Sequence, residues 1–356
     1  MNILIVRVSA IGDVIHTIPA LLLLKQLAPD AKISWLVQEK AASLLLGQPF
    51  IDQLFLLPDN FLWPSNLGKT KKIIETLRQT RWDAIIDFQG LEKTSLIFAT
   101  LSGKKYGFTA CHARSKLSTL FTHKRSEPVY TNIIQKNLDL ASFVATDLFG
   151  ARTCPVVDSL NGRNVLAVSA QDQVAVDTWL QRNHVSRFML LAPNTTWDSK
   201  HWPLEHWLSL IKTLVADQAF VAAGISIVLV GSNFNEMAAA LAMLIKEENL
   251  PVLLLPTFHL LAMAHLMKKS ALIIAPDTGL VHLADLVGER SIALFGPTDA
   301  KRHGPFLMQE NRDNVVQISC SHHYQKTHGE NKTGVNCMYQ LTPVELYMRV
   351  MEILGF

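Results

Sequence analysis

The chain has 356 residues, room for two ordinary domains, and with 49% hydrophobic and 18% charged residues it is a packed globular protein, not a disordered one. A net charge of +3 gives no ground for a nucleic-acid partner. Met1-Asn2-Ile3-Leu4-Ile5-Val6 lacks the basic start of a signal peptide, no apolar run has the length of a membrane span, and Cys111, Cys154, Cys320 and Cys337 are scattered as in a reducing cytoplasm.

Asn2–Val8 reads as a strand interrupted only by Arg7. Ser9-Ala10-Ile11-Gly12-Asp13-Val14 then turns the chain into a helix over His16–Leu27, with Pro19 in its first turns. One glycine is too few for a dinucleotide fingerprint. Asp13 is either a helix cap or a carboxylate held at the carboxyl edge of the first strand. Lys32–Val37 and Ile51–Leu57 are the next strands, with a short helix at Ala41–Leu46 between them. Pro58–Lys72 reads as a loop with a basic end, Lys69, Lys71 and Lys72, before a helix over Ile73–Gln79.

Ala84–Asp87 is a further strand, ending in Phe88-Gln89-Gly90-Leu91-Glu92-Lys93, and a helix runs from Thr94 to Leu101. Basic residues recur from Lys104 to Arg125, Arg114 and Lys116 among them. The stretch is either a solvated surface or a groove for an anionic molecule. Asn132–Phe149 is one helix, and the polar, proline- and glycine-containing stretch after it marks the connection between two halves.

Phe188–Ala192 restarts the pattern and ends in Pro193-Asn194-Thr195-Thr196-Trp197-Asp198-Ser199-Lys200-His201-Trp202-Pro203, a polar loop that opens a helix through Val215. Strands at Ile225–Val230 and Val252–Leu255 follow, with helices over Met237–Glu247 and His259–Lys268. An apolar run through Ile274 then breaks at Pro276-Asp277-Thr278-Gly279 and resumes as a helix, Leu280–Val287. A helix start of this kind offers free backbone N–H groups and a dipole to phosphate, with Asp277 and His282 nearby. Ser291–Phe295 is one more strand, stopped by Gly296-Pro297-Thr298-Asp299, and Pro343–Leu354 is a closing helix. Cys320, His322, His323, His328 and Cys337 match no compact zinc-ligand spacing and read as free thiols and surface histidines. Strands alternating with helices in both halves predict an α/β protein with two doubly wound parallel sheets.

Five segments, in order, resemble the lipopolysaccharide heptosyltransferases, its first-heptose members most of all. They are Ser9–Ala20, Ile86–Leu91 with Lys93, Lys200-His201-Trp202-Pro203, Asp277–Leu283 and Phe295–Asp299. The resemblance implies a GT-B fold, two Rossmann-like domains facing a central cleft. It places an acceptor-binding domain at 1–160, a linker at 161–187, an ADP-sugar-binding domain at 188–340, and a closing helix at 341–356 free to pack back on the N-terminal domain.

It also implies an inverting, metal-independent glycosyltransferase that moves L-glycero-D-manno-heptose from ADP-heptose to Kdo-lipid A and uses no cofactor beyond that donor substrate. Asp13 matches the family's base and Lys200 its donor-facing lysine. Thr195, Thr196, Lys200, Asp277, Thr278, Gly279 and His282 match donor contacts, with Asn235 or Glu236 at the nucleoside. Arg7 (where lysine is common), Ser9, Gly12, Lys69, Lys93, Arg114 and Lys116 are the acceptor-side candidates. A lipid-linked acceptor implies a cytoplasmic enzyme in peripheral contact with the inner face of the inner membrane. The alternatives are a heptosyltransferase II or later ADP-heptose transferase and, outside that class, a sugar-nucleotide 2-epimerase or a non-catalytic nucleotide-sugar-binding protein.

Overall fold

The first strand, β1 (Asn2–Val6), is apolar and buried after its first residue, as a central parallel strand must be. In the computed structural model, which describes residues 1–150, 165–231, 236–320 and 336–356 without the side chain of Gln309, β1 lies between β2 (Lys32–Gln38) and β4 (Ala84–Asp87). With β3 (Gln53–Leu57), β5 (Lys104–Phe108) and β6 (Lys124–Ser126) they form a parallel sheet of order β3-β2-β1-β4-β5-β6. The chain winds outward from β1 to β3, then returns to β4 on the other side. That reversal leaves a crevice at the carboxyl ends of β1 and β4, where open α/β sheets bind ligands.

The second sheet repeats the winding. Its strands β7 (Arg187–Leu191), β8 (Ile225–Leu229), β9 (Val252–Leu254), β10 (Leu272–Pro276), β11 (Ser291–Phe295) and β12 (Val315–Gln317) run parallel in the order β12-β11-β10-β7-β8-β9. The reversal falls between β7 and β10. The chain accordingly divides into two compact units, Met1–Leu160 and Asn161–Phe356.

In the first unit the helices of five or more residues are α1 (Ile11–Ile15), α2 (Ile18–Leu27), α3 (Leu67–Gln79), α4 (Glu92–Ala99) and α5 (Ile133–Phe149), and a single turn at Glu39–Ala42 stands near the expected short helix between β2 and β3. The expected helix from His16 is present from Ile18, and the expected turn before it holds a short helix of its own, Ile11–Ile15. Asn132 caps α5 by accepting from Ile134 N, and Gly150, at φ 65°, ends it. Asn137 on α5 donates to the His16 carbonyl at 2.9 Å, which fixes the chain just beyond Asp13. The basic end of the expected loop is helical instead. α3 begins at Leu67, so Lys69, Lys71 and Lys72 project from a helix surface. The two ends of the basic stretch from Lys104 lie in the sheet, with a loop and a 3₁₀ turn between them. Lys104 and Lys124 stand on neighbouring strands and both pair with Asp147 of α5.

The second unit holds α6 (Ala170–Arg182), α7 (Leu204–Ala216), α8 (Glu236–Glu247), α9 (Leu260–Met267), α10 (Gly279–Val287) and α11 (Pro343–Leu354). Two features depart from the sequence reading. Much of the expected linker is α6, which packs on α9 and is joined to it by His265 Nε2–Asp177 Oδ1 at 3.1 Å. The closing helix, α11, packs against α7 and enters the second unit's own core: Leu346, Val350, Met351 and Leu354 share it with Trp202, Trp207 and Ile227. Thr342 and Glu345 form a reciprocal capping box at its start. Trp202 donates to the Leu341 carbonyl at 2.9 Å and meets Trp207 edge-on at 4.9 Å. Cys320 and Cys337 are buried free thiols of the same core. Burial and the hydrogen bond between them push the Cys337 thiol up to about 12. His322, His323 and His328 lie outside the described residues.

Candidate active site

The polar residues picked out by sequence collect at the two reversal points. After β1, Asp13 sits in α1 with 15% of its side chain exposed. Arg7 Nη2 approaches its Oδ1 at 2.8 Å, Arg114 Nη2 its Oδ2 at 2.7 Å, and the Ala10 amide donates to Oδ2 at 3.3 Å. Burial disfavours the Asp13 charge, but Arg7 and then Arg114 outweigh it and hold the carboxyl well below the usual carboxylate range. Arg7 is almost wholly buried, and its Nη1 donates to the Phe88 carbonyl.

The end of β4 completes this corner. Gln89 Oε1 accepts from Val8 N at 3.0 Å and Ser9 N at 3.4 Å, so Ser9 is held through its backbone. Asp87 Oδ1 accepts from Gln89 N and Gly90 N at 2.9 and 3.0 Å. Burial pushes the Asp87 carboxyl up to about 6 against those two hydrogen bonds and Arg7. Gly90, at φ 62°, accepts from Ser115 N at 2.9 Å, and a side chain there would stand 3.3 Å from Arg114 N. That close approach brings Arg114 onto an aspartate 101 residues away.

The other acceptor-side candidates divide. Gly12 lies within α1, and its carbonyl accepts from His16 N. Lys69 on α3, Lys93 on α4 and Lys116, at the start of a 3₁₀ turn, are exposed and make no ion pair among the described residues.

At the second reversal the loop after β7 is tied down by its own side chains. Asn194 donates to the Gly231 carbonyl at 3.1 Å and accepts from Ala238 N at 3.1 Å. Thr195 is buried, and its hydroxyl exchanges hydrogen bonds with Trp197 O and N at 3.2 and 3.1 Å; Thr196 is exposed. Lys200 Nζ lies 4.4 Å from the Trp197 ring centroid and 2.7 Å from Asp277 Oδ2.

Asp277 leaves β10 with its amide on the Leu294 carbonyl. Thr298 donates to its Oδ2 at 2.8 Å, and His282 Nε2 lies 3.4 Å from its Oδ1. Burial opposes this charge as well, but the His282 hydrogen bond and Lys200 overcome it and hold the carboxyl far below its ordinary range. Thr278 is the N-cap of α10 but makes no side-chain cap, and its buried Oγ1 has no hydrogen-bond partner among the described residues. Gly279 opens the helix, whose first amides are therefore available to an anion. Glu236 is the exposed first residue of α8, and Asn235 lies outside the described residues.

Thr298, Gln89 and Asp87 are participants to which sequence gave no role. All three stand in quoted segments, and the adjacency of β10 with β11 and of β1 with β4 is the signal that places them.

Two sheets wound in the same order, with a charged carboxylate at one reversal and an anion-ready helix start at the other, are the arrangement of a Rossmann-like protein with a site for a phosphate-bearing ligand. Residues 70–333 match glycosyltransferase family 9 (heptosyltransferase), and the chain belongs to that family. It is 28% identical to lipopolysaccharide heptosyltransferase 1 of Escherichia coli K12 over 90% of this chain and 97% of that protein. To the Campylobacter coli protein of the same name it is 27% identical, over 92% and 93%. The solved structure of the E. coli heptosyltransferase WaaC with ADP shares the fold at a TM-score of 0.75 and 24% identity, covering 99% of this chain and all of that one. Family membership selects glycosyl transfer over the epimerase and binding-only alternatives. No helix among the described residues is long and apolar enough to cross a membrane.

Proposed function

We propose that this enzyme transfers L-glycero-D-manno-heptose from ADP-heptose to the Kdo-lipid A inner core of lipopolysaccharide, with inversion and Asp13 as base. The observation that carries the reading is the Lys200–Asp277–His282–Thr298 cluster beside the start of α10. It sets a lysine next to free helix amides and a buried, unpartnered threonine hydroxyl, a donor set suited to a diphosphate. Relatives named lipopolysaccharide heptosyltransferase 1 supply the sugar and the acceptor.

In this reading Thr278, the α10 amides and Lys200 hold the diphosphate, with Thr195 and Thr196 on the same donor side. Asp277 holds Lys200 and His282 toward it, and Glu236 or Asn235 meets the ribose. Asp13 accepts the acceptor hydroxyl's proton as that oxygen bonds to the anomeric carbon. The carbon–oxygen bond to phosphate breaks, and its electron pair leaves on ADP. A single displacement needs one carboxylate and no nucleophilic residue. Arg7, Ser9, Gly12, Lys69, Lys93, Arg114 and Lys116 form the acceptor side. The exposed lysines of α3 favour peripheral contact with anionic headgroups at the inner face of the inner membrane, worth ~1 kcal/mol for each well-placed cation.

The test is a transfer assay with ADP-heptose and two acceptors, Kdo-lipid A and the same molecule already carrying one heptose, with EDTA throughout. Product on the first alone is the expected result. Product on the second alone moves the enzyme one step along core assembly, and product on neither overturns the reading. The EDTA also tests metal independence, since Cys111, His112 and Glu127 bring potential ligand atoms within 4.8 Å of one another.

A further inference from the structure

The two arginines on Asp13 are not equivalent. Arg7 is 2% exposed, issues from β1 and is also bound to the Phe88 carbonyl. Moving it off Asp13 would strand a buried cation. Arg114 is 37% exposed and stands on the loop between β5 and the 3₁₀ turn at Lys116–Phe121. That loop is anchored by backbone bonds at Thr109 and Ser115, so the guanidinium can swing into water while its backbone stays in place. With its cation at the surface this pair is held less firmly than the Arg7 pair, and a carboxylate or phosphate that accepts both guanidinium nitrogens competes with it.

As it stands, Asp13 is a poor base. Arg114 gives its Oδ2 a charge-assisted hydrogen bond and Arg7 Nη2 stands 2.8 Å from its Oδ1, so both oxygens face a cation. A carboxylate so stabilised takes a proton reluctantly.

We propose that Arg114 is a releasable counter-ion: an anionic group of the acceptor draws Arg114 away from Asp13 and frees Oδ2 to receive the acceptor's proton. This rests on the transferase reading above. Arg114 is then a positioning residue that links acceptor binding to arming of the base. The anion is a carboxylate of the acceptor sugar or a phosphate of its lipid anchor, placed beside the attacking hydroxyl.

The test compares two pH profiles, kcat/KM for acceptor, which reports the free enzyme, and the single-turnover rate at saturating acceptor, which reports the complex. In the wild type the acid limb of the complex should lie at higher pH than that of the free enzyme. Arg114→Ala should raise the acceptor KM at least tenfold and lift the free-enzyme limb until the two coincide, with the limb of the complex unmoved. Arg114→Lys should restore part of the separation. Acceptors with carboxyls reduced or with phosphates removed identify the anion, as the arm lacking it should mimic Arg114→Ala.

If Arg114→Ala moves both limbs together, Arg114 stays on Asp13 through turnover and the proposal fails. It also fails if neither limb moves, or if neither altered acceptor has an effect. Should the wild type transfer heptose to no acceptor, the function reading falls. A crystal structure with deacylated Kdo-lipid A, which keeps both the sugar carboxylates and the anchor phosphates, still decides the exchange: Arg114 on either anion supports it, and Arg114 still on Asp13 overturns it.

Discussion

Asp13 and Asp277 stand at corresponding reversals of the two sheets, and both are buried, ionised and paired with cations. Their surroundings differ in one respect. Among the described residues every side-chain partner of Asp277 is built in: Lys200 is 12% exposed and His282 4%, and Thr298 comes from the adjoining strand end. Asp13 has one built-in partner and one at the surface, Arg114. Fixed partners on all sides make a carboxylate an organiser of other groups. A carboxylate with a removable partner retains chemistry of its own.

The sharpest way to break the comparison is the same substitution at both places. Asp13→Asn should lower the transfer rate by about 10²–10⁴-fold with ADP binding preserved, because the amide cannot take the proton. Asp277→Asn should act chiefly on the donor, raising its KM roughly tenfold to a hundredfold by leaving Lys200 and His282 without their charge-assisted bonds. Steady-state kinetics with calorimetric ADP titration separates the two. Equal falls in the single-turnover rate would erase the distinction.

A second effect concerns stability near Asp13. The Asp87 carboxyl, raised to about 6 by burial, binds its proton more tightly when folded than when unfolded. Its contribution is therefore fully present below the unfolded value of about 3.9 and is lost as pH rises through 6. Asp87→Asn keeps an oxygen for the Gln89 and Gly90 amides without the buried charge. Its melting temperature should exceed the wild type's at pH 7, by on the order of 2 kcal/mol of stability, and the gain should vanish toward pH 4. A gain independent of pH would contradict the assignment.

The smallest expected effect is at Thr298. Thr298→Ala removes one neutral-to-charged hydrogen bond from Asp277 and should raise the donor KM about fivefold, with the acceptor KM unchanged. If the acceptor KM rises too, Thr298 serves more than the donor side.

Much of this was legible in the sequence because apolar runs ending at glycine and proline mark strand ends, and strand ends are where open sheets bind ligands. Asn2–Val6, Leu272–Pro276 and the turns after them are of this kind. What stayed hidden depends on partners distant in the chain. Lys104 and Lys124 leave a solvated surface and an anion groove both open in the sequence because nothing nearby shows Asp147 between them. Lys69–Lys72 read as a loop since α3 is polar on most of its surface and starts at a glycine-containing turn that only packing makes helical. Arg114 was placed on the acceptor side, but its contact with Asp13 depends on the left-handed Gly90 and the register of β4 with β5. The exposure difference that separates the two aspartates is a property of the folded surface alone.

The place of α11 has a genetic consequence. Because Leu346, Val350, Met351 and Leu354 complete the core beneath the donor-side loops, a stop codon at position 343 would leave every proposed contact residue encoded and still uncover Trp202 and Trp207. Nonsense alleles that remove the α11 codons should therefore score as nulls, as damaging as missense changes at Asp13.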